Sequence, residues 1–228
     1  MQLAANLGIP YLRVMKILLL SATLAEIEPL LSFFNFREGK NSIAGHEFRV
    51  LTGGVGMVAT AYALGRAFST GSYDLAINAG IAGSFQRSLQ LGEVVNVTHD
   101  CFAELGAEDG EKFLSLEELG FGSSWETGIS PGGVPLNLSG FKEVWGITVN
   151  KVHGAEESIK RTIQRLDPDV ESMEGASFFY SCRLADTPGL QLRAVSNYVE
   201  RRNRSAWDIP LAIKNLNAAV IELLNTIL

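Results

Sequence analysis

Cysteine is nearly absent: the chain has only Cys101 and Cys182. Neither belongs to a CxxC pair or stands among clustered histidines, which excludes a disulfide framework and a zinc site as organising features. A reducing cytoplasm is the compartment this implies. The three histidines, His46, His99 and His153, are scattered, so no metal is expected. Blocks of Lys and Arg are also missing, and the net charge is -6. A nucleic-acid surface relies on clustered cations, so small molecules are the expected partners.

No apolar run approaches the length that crosses a bilayer, and no membrane association is expected. The opening MQLAANLGIPYLRV lacks the basic start, long apolar stretch and cleavage site of a signal peptide. Residues 1–14 therefore read as an N-terminal extension, with Met15-Lys16 leading directly into a buried strand. No period of 20 to 50 residues recurs, which excludes a repeat array. Nothing marks a linker either, so residues 15–228 read as one domain, whose 46% hydrophobic content suffices for a substantial core.

What is present is an alternation of short apolar runs and amphipathic stretches. Ile17 to Leu20 is a continuous apolar run, as in a central strand buried on both faces. Thr23 can cap a helix from Leu24, and Glu26 falls in its first turn, at the carboxyl end of the strand. Strand Glu47 to Thr52 breaks at Gly53-Gly54-Val55-Gly56 before a helix from Met57 to Phe68. Such a glycine turn lets N–H groups approach an anion or polar ligand, and tight strand-to-helix packing explains it equally well.

A third strand, Tyr73 to Asn78, ends in the stripped-down Ala79-Gly80-Ile81-Ala82-Gly83-Ser84, suited to a site lined by main chain. Strands follow at Gly92 to Val97 and Val144 to Val149, with a helix from Ala155 to Leu166. Between them, residues 104–118 are acidic and residues 120–140 are rich in Gly, Ser and Pro, which predicts an irregular excursion. The last helix, Asp208 to Ile227, carries one broad apolar face through Leu216, Val220 and Leu224. The pattern predicts an α/β domain: a three-layer α/β/α sandwich with a central mixed sheet.

The candidate site centres on Asp169 to Arg204. A strand ends in Glu171-Ser172-Met173-Glu174, a helix runs from Gly175 to Ala185, and strand Leu190 to Ser196 opens at Asn197. Ligands in open α/β sheets sit at such strand ends. Singly, Glu174 is equally a first-turn acid favoured by the helix dipole, and Asn197 an ordinary turn residue. Phe178 and Phe179 read as core, and core packing is favoured over a pocket wall for Tyr198 and Trp207.

Taken together, Met15-Lys16-Ile17 with Glu26 beyond it, Asn78 to Gly83, Val170 to Gly175 and Arg193 to Asn197 resemble the nucleoside phosphorylase and nucleosidase family. The resemblance spans residues 15–228 and is nearest to the methylthioadenosine nucleosidases. It implies a cofactor-free and metal-free homo-oligomeric enzyme that cleaves a purine nucleoside. Glu26 and Asn197 are implied to be catalytic, Glu26 on the attacking water and Asn197 on the purine. Met173 and Glu174 are implied to hold the ribose, with Gly80, Ile81, Gly83 and Glu171 as further substrate contacts.

Two departures from the family pattern narrow the substrate. Methylthioadenosine nucleosidases carry an aspartic acid where Asn197 stands. A 6-oxopurine presents two acceptors, N7 and O6, which an amide NH₂ meets better than a carboxylate does. Bacterial phosphorylases of the family carry an arginine and a serine where Asn78 and Ile81 stand, and the loop Ser21 to Ala25 holds no cation. Phosphate would be poorly held, so water is the expected nucleophile.

The narrower resemblance is to hydrolases whose 6-oxopurine nucleoside bears a benzoate beyond its ribose. It implies a pairing with Arg201, Arg202 or Arg204, weighed against a loop that is simply solvated. Val149, Asn150 and Lys151 are candidates for the base pocket. The alternatives carried forward are a methylthioadenosine or adenosylhomocysteine nucleosidase, a purine nucleoside phosphorylase, and a nucleoside-binding protein without chemistry.

Overall fold

A computed structural model of the chain describes residues 14–129, 132, 134 and 136–228. The N-terminal extension expected at 1–14 lies outside the described residues except for Val14. In chain order the elements are β1 (Lys16–Ser21), α1 (Leu24–Phe34), β2 (Gly39–Ile43), β3 (His46–Thr52), α2 (Met57–Phe68), β4 (Leu75–Ser84) and β5 (Val94–Phe102). Then come β6 (Gly106–Asp109), β7 (Lys112–Ser115), α3 (Leu116–Leu119), β8 (Trp125–Thr127), β9 (Lys142–Thr148), α4 (Glu156–Leu166), β10 (Val170–Ser172), α5 (Gly175–Leu184), β11 (Gly189–Tyr198) and α6 (Ile209–Asn225).

The main sheet runs β10-β9-β5-β11-β4-β1-β3-β2, with β8 beside β5. It is mixed: β3, β1, β4 and β11 are parallel neighbours, whereas β5 is antiparallel to β11. Strand β10 pairs with β9 and also, antiparallel, with β4. The sheet thereby curls so that β4, β11, β5, β9 and β10 form a closed ring. The end of β4 sits where that ring closes.

Side-chain alternation along β1 divides the core into two layers. Ile17 and Leu19 pack with Leu30 of α1 and Leu216, Val220 and Leu224 of α6. Leu18 and Leu20 pack on the opposite side with Leu64 of α2 and Phe178 and Phe179 of α5. Each of the four β1 side chains is at most 1% exposed, which contributes about 1.5–3 kcal/mol per residue. Helices thus cover both faces, giving the three layers.

Helix α1 is tied to α6 by Asn217, whose Nδ2 donates to the Glu26 carbonyl at 2.8 Å while its Oδ1 accepts from Leu30 N at 2.9 Å. Those two backbone groups are the ones an α-helix pairs with each other. A buried amide from the last helix therefore fixes the turn that carries Glu26.

The structure departs from the sequence expectation at several strands, β5 running on to Phe102, β8 forming within the 120–140 stretch and β11 continuing through Asn197 to Tyr198. The stripped-down stretch Ala79 to Ser84 continues strand β4 to Ser84 rather than turning after Asn78. Strand β2, GKNSI, has no apolar alternation to read; it is held by pairing along β3, with Ile43 packed against the core. The excursion at 104–118 folds into the hairpin β6–β7 and the short α3, which Ser115 caps by accepting from Glu118 N at 3.4 Å.

Candidate active site

A cavity of about 380 Å³ opens at the carboxyl ends of β1, β4, β10 and β11. Thr23, Glu26, Ile81, Gly83, Glu171, Met173, Glu174 and Asn197 all contribute to its wall. Of the catalytic and substrate-contact residues implied by the resemblance, all but one therefore converge. Gly80, read as a substrate contact, is buried behind the wall and does not line the cavity.

Glu26 is 7% exposed and firmly held. Its Oε2 accepts from Thr23 N at 2.8 Å and Thr23 Oγ1 at 3.0 Å, and its Oε1 accepts from Ile81 N at 3.2 Å. A carboxylate offers about four lone-pair sites, so one acceptor position on Oε1 is left. Glu174, at the mouth of α5, has Oε1 accepting from Gly56 N at 3.0 Å and Oε2 3.5 Å from Arg193 Nη1. The glycine turn after β3, with φ of +99° at Gly56, thus directs its N–H to a protein carboxylate and fixes that group's orientation.

Sequence reasoning missed Arg193, which is 1% exposed. Its Nη2 donates to Gln191 Oε1 at 3.2 Å, and Gln191 Nε2 donates to Asp100 Oδ2 at 2.9 Å. Asp100 Oδ1 accepts from Thr148 Oγ1 at 2.8 Å, and that hydroxyl oxygen accepts from Ala176 N at 2.7 Å. Asn78 Nδ2 joins the chain at Gln191 Oε1, 3.3 Å away. A buried polar line therefore runs from the start of α5 to Glu174. Alternation was the available signal: Gln191 and Arg193 are polar residues inside an otherwise apolar strand.

This line explains Gly80. A β-carbon there would overlap the Arg193 guanidinium and stand 3.2 Å from Glu26 Oε1. Arg193 and Glu26 consequently share one small space over β4. Asn78, which stands where phosphorylases carry arginine, points into the network rather than the cavity.

The pairing of β11 with β4 shifts by one residue between Val195 and Asn197, leaving Ser196 as the extra residue of a bulge. Bulges re-aim side chains. Here the shift sets Asn197 opposite Gly83, where a β-carbon would be 3.1 Å from Asn197 Nδ2. Asn197 Nδ2 donates to the Tyr198 carbonyl at 3.1 Å, and its Oδ1 accepts from Ser196 Oγ at 2.8 Å. A carbonyl only accepts, so the nitrogen must face Tyr198, and one amide hydrogen stays free for the cavity.

Glu171 lies opposite Gly83 on the other side, in β10. Both its oxygens are engaged by His153: Oε1 accepts from His153 N at 3.0 Å, and Oε2 lies 2.6 Å from Nδ1. Thr162 Oγ1 holds the other ring nitrogen at 2.9 Å. The carboxylate therefore fixes a wall residue rather than standing free.

Val152, His153 and Gly154 line the cavity; of the three residues just before them, left open for the base pocket, Val149 turns into a small core cluster with Cys101 and Ile147, and Asn150 and Lys151 are exposed away from the cavity wall. Tyr198 and Trp207, favoured as core, both line the cavity, whereas Phe178 and Phe179 are buried as expected.

No protein-family model matches the chain. The fold is shared with the 5'-methylthioadenosine/S-adenosylhomocysteine nucleosidase of Neisseria meningitidis, at a TM-score of 0.76 and 16% identity over 93% of this chain and 100% of that one. Layers, mixed sheet and sheet topology together give the chain the nucleoside phosphorylase-like fold. In sequence the chain is 30% identical to the futalosine hydrolase of Thermus thermophilus over 210 residues, 90% of this chain and 91% of the relative. It is 35% identical to that of Acidothermus cellulolyticus over 178 residues, 75% of this chain and 72% of the relative. The chain belongs to the futalosine hydrolase family.

Burial raises the Asp100 carboxyl from 3.8 to about 6, with the bonds from Gln191 and Thr148 and the charge of Arg193 opposing it. A raised carboxyl binds its proton more tightly in the folded chain. Its contribution to stability is thus complete below the ordinary value and is lost as pH rises through about 6. Urea unfolding of the native protein and Asp100→Asn should show their stability difference changing by ~3 kcal/mol between pH ~4 and ~7, to the native protein's disadvantage at higher pH. An unchanged difference would contradict the burial account.

Proposed function

We propose that this chain hydrolyses the N-glycosidic bond of futalosine, releasing hypoxanthine and dehypoxanthine futalosine in the alternative route to menaquinone. The observation that carries the reading is the convergence of Glu26, Glu174 and the donating amide of Asn197 on one cavity. Membership of the futalosine hydrolase family supports it.

Breaking the bond between C1′ and the purine nitrogen builds positive charge on the ribose. Acids around the sugar stabilise that charge as it develops. Glu174 has two acceptor positions left after Gly56 N and Arg193, enough for the 2′ and 3′ hydroxyls, and Met173 packs beside it. The remaining position on Glu26 Oε1 takes a water proton as the water oxygen attacks C1′. The purine leaves with the bonding electron pair as an anion, which the Asn197 amide stabilises by donating to its 6-oxopurine edge, and it takes its proton from solvent, to which Glu26 in turn releases the one it accepted. Glu171 acts through His153, holding the wall beside the base.

The only lysine or arginine lining the cavity among the described residues is Arg202, on the loop past the base-facing Asn197. Arg193 is behind the wall and engaged by Glu174 and Gln191, so the sugar's neighbourhood lacks a free cation for phosphate. Hypoxanthine should accordingly appear from futalosine at the same rate with and without phosphate, measured by chromatography. Glu26→Gln should bind hypoxanthine as before and lose at least ~100-fold in kcat. A phosphate requirement would overturn hydrolysis, and undiminished turnover in the variant would overturn the base assignment.

Asn197→Asp should lower kcat/KM for futalosine by roughly 10- to 100-fold while leaving adenine nucleosides less affected, because the carboxylate repels O6. An equal loss on both bases would remove the amide from base selection.

Self-association is part of the same proposal. Val58 and Tyr62 of α2 and Tyr180 and Leu184 of α5 are 41–78% exposed on the outer helical layer. Large apolar side chains exposed on adjoining helices favour a partner. Sedimentation equilibrium should return a multiple of 24.7 kDa, and a monomer at micromolar concentration would refute it.

A further inference from the structure

The cavity wall is strongly acidic, with Glu26, Glu171, Glu174 and Glu200, yet it carries Arg202 at its outer end. Glu200 is paired with Arg87, whose guanidinium lies 4.1 Å from the centre of the Tyr198 ring. Among the described residues no carboxylate pairs with Arg202. Its guanidinium stands instead 5.1 Å from the centre of the Trp207 ring, and its β-carbon is 3.7 Å from where a β-carbon on Gly154 would stand. Stacking on the ring limits the freedom of the long side chain while leaving its N–H groups available.

Trp207, Ile209 and Ile213 make the adjoining wall apolar. A cation poised over an indole beside aliphatic side chains matches one kind of ligand arm: a flat apolar group ending in an anion. Arg201 and Arg204 do not line the cavity. We propose that Arg202 and Trp207 form a subsite for an aryl carboxylate, with the guanidinium pairing with the carboxylate and the indole packing against the ring. The inference rests on the futalosine reading, in which the group so held is the benzoate, and it makes Arg202 the residue that separates futalosine from nucleosides without that arm.

The test compares futalosine with its methyl ester, which keeps the ring and removes the charge. In the native protein, kcat/KM should favour the acid over the ester. Arg202→Gln should raise KM for futalosine roughly 10- to 100-fold, with kcat little changed, and abolish that preference. Arg202→Lys should recover part of it, whereas Arg201→Gln and Arg204→Gln should leave it intact. Added salt should raise KM for futalosine in the native protein and have little effect in Arg202→Gln.

A preference that survives Arg202→Gln, or an equal loss on acid and ester, would overturn the subsite. If the native protein hydrolyses neither compound, the futalosine reading itself fails, a result distinct from either of these.

Discussion

The buried ion pair between Glu174 and Arg193 is the constraint from which the rest of the site follows. A guanidinium taken from water costs several kcal/mol unless it is paired and hydrogen-bonded. Arg193 meets Glu174 through one terminal nitrogen and Gln191 through the other, while its Nε has no partner among the described residues. Gln191 must then be oriented, and Asp100 does so from within the ring of strands. Three glycines make room: Gly80 for the guanidinium, and Gly146 and Gly175 for the Asp100 carboxylate, where a β-carbon would collide. The start of α5, the middle of β11 and the middle of β4 are thereby locked at fixed separations.

The same arrangement sets the electrostatics of the cavity. Behind the wall the positive charge of Arg193 is spent on Glu174 and Gln191, and it is flanked by Asp100. In front, the inner cavity wall carries the carboxylates of Glu26 and Glu174 with Thr23 and Ser172 beside them. A wall of this kind suits a developing positive charge and offers little to hold a phosphate dianion. The outer end differs in sign, with Arg202 over Trp207, so potential changes along the cavity from the sugar to the mouth.

Much of this was legible in the sequence, for physical reasons. Continuous apolar runs such as Ile17 to Leu20 admit few roles other than a strand covered on both faces, and the acids and amide stand at strand ends, where α/β sheets open. Helix α2 was bounded correctly because Gly56 and the end of the apolar pattern at Phe68 both punctuate it. What escaped was set by contacts distant in sequence. The bulge at Ser196 exists only in the pairing of β11 with β4, and Arg193 acquires its place through Glu174 at the start of α5, Gly80 of β4 and, by way of Gln191, Asp100 of β5. The Ala79 to Ser84 stretch reads as a turn because its residues are small, yet they are small to admit side chains from β11 and α1 while staying in strand. Strand β2 carries no alternating pattern, since edge pairing with β3 and the single core contact of Ile43 define it.

The central claim is that one sugar sits between Glu26 and Glu174 while Asn197 faces the purine. A crystal structure with hypoxanthine and a ribose mimic bound tests it most directly. The account predicts Asn197 Nδ2 within ~3 Å of N7 or O6, and a Glu174 oxygen at hydrogen-bonding distance from the sugar hydroxyls. A purine bound away from Asn197, or a sugar turned toward Arg202, would contradict it.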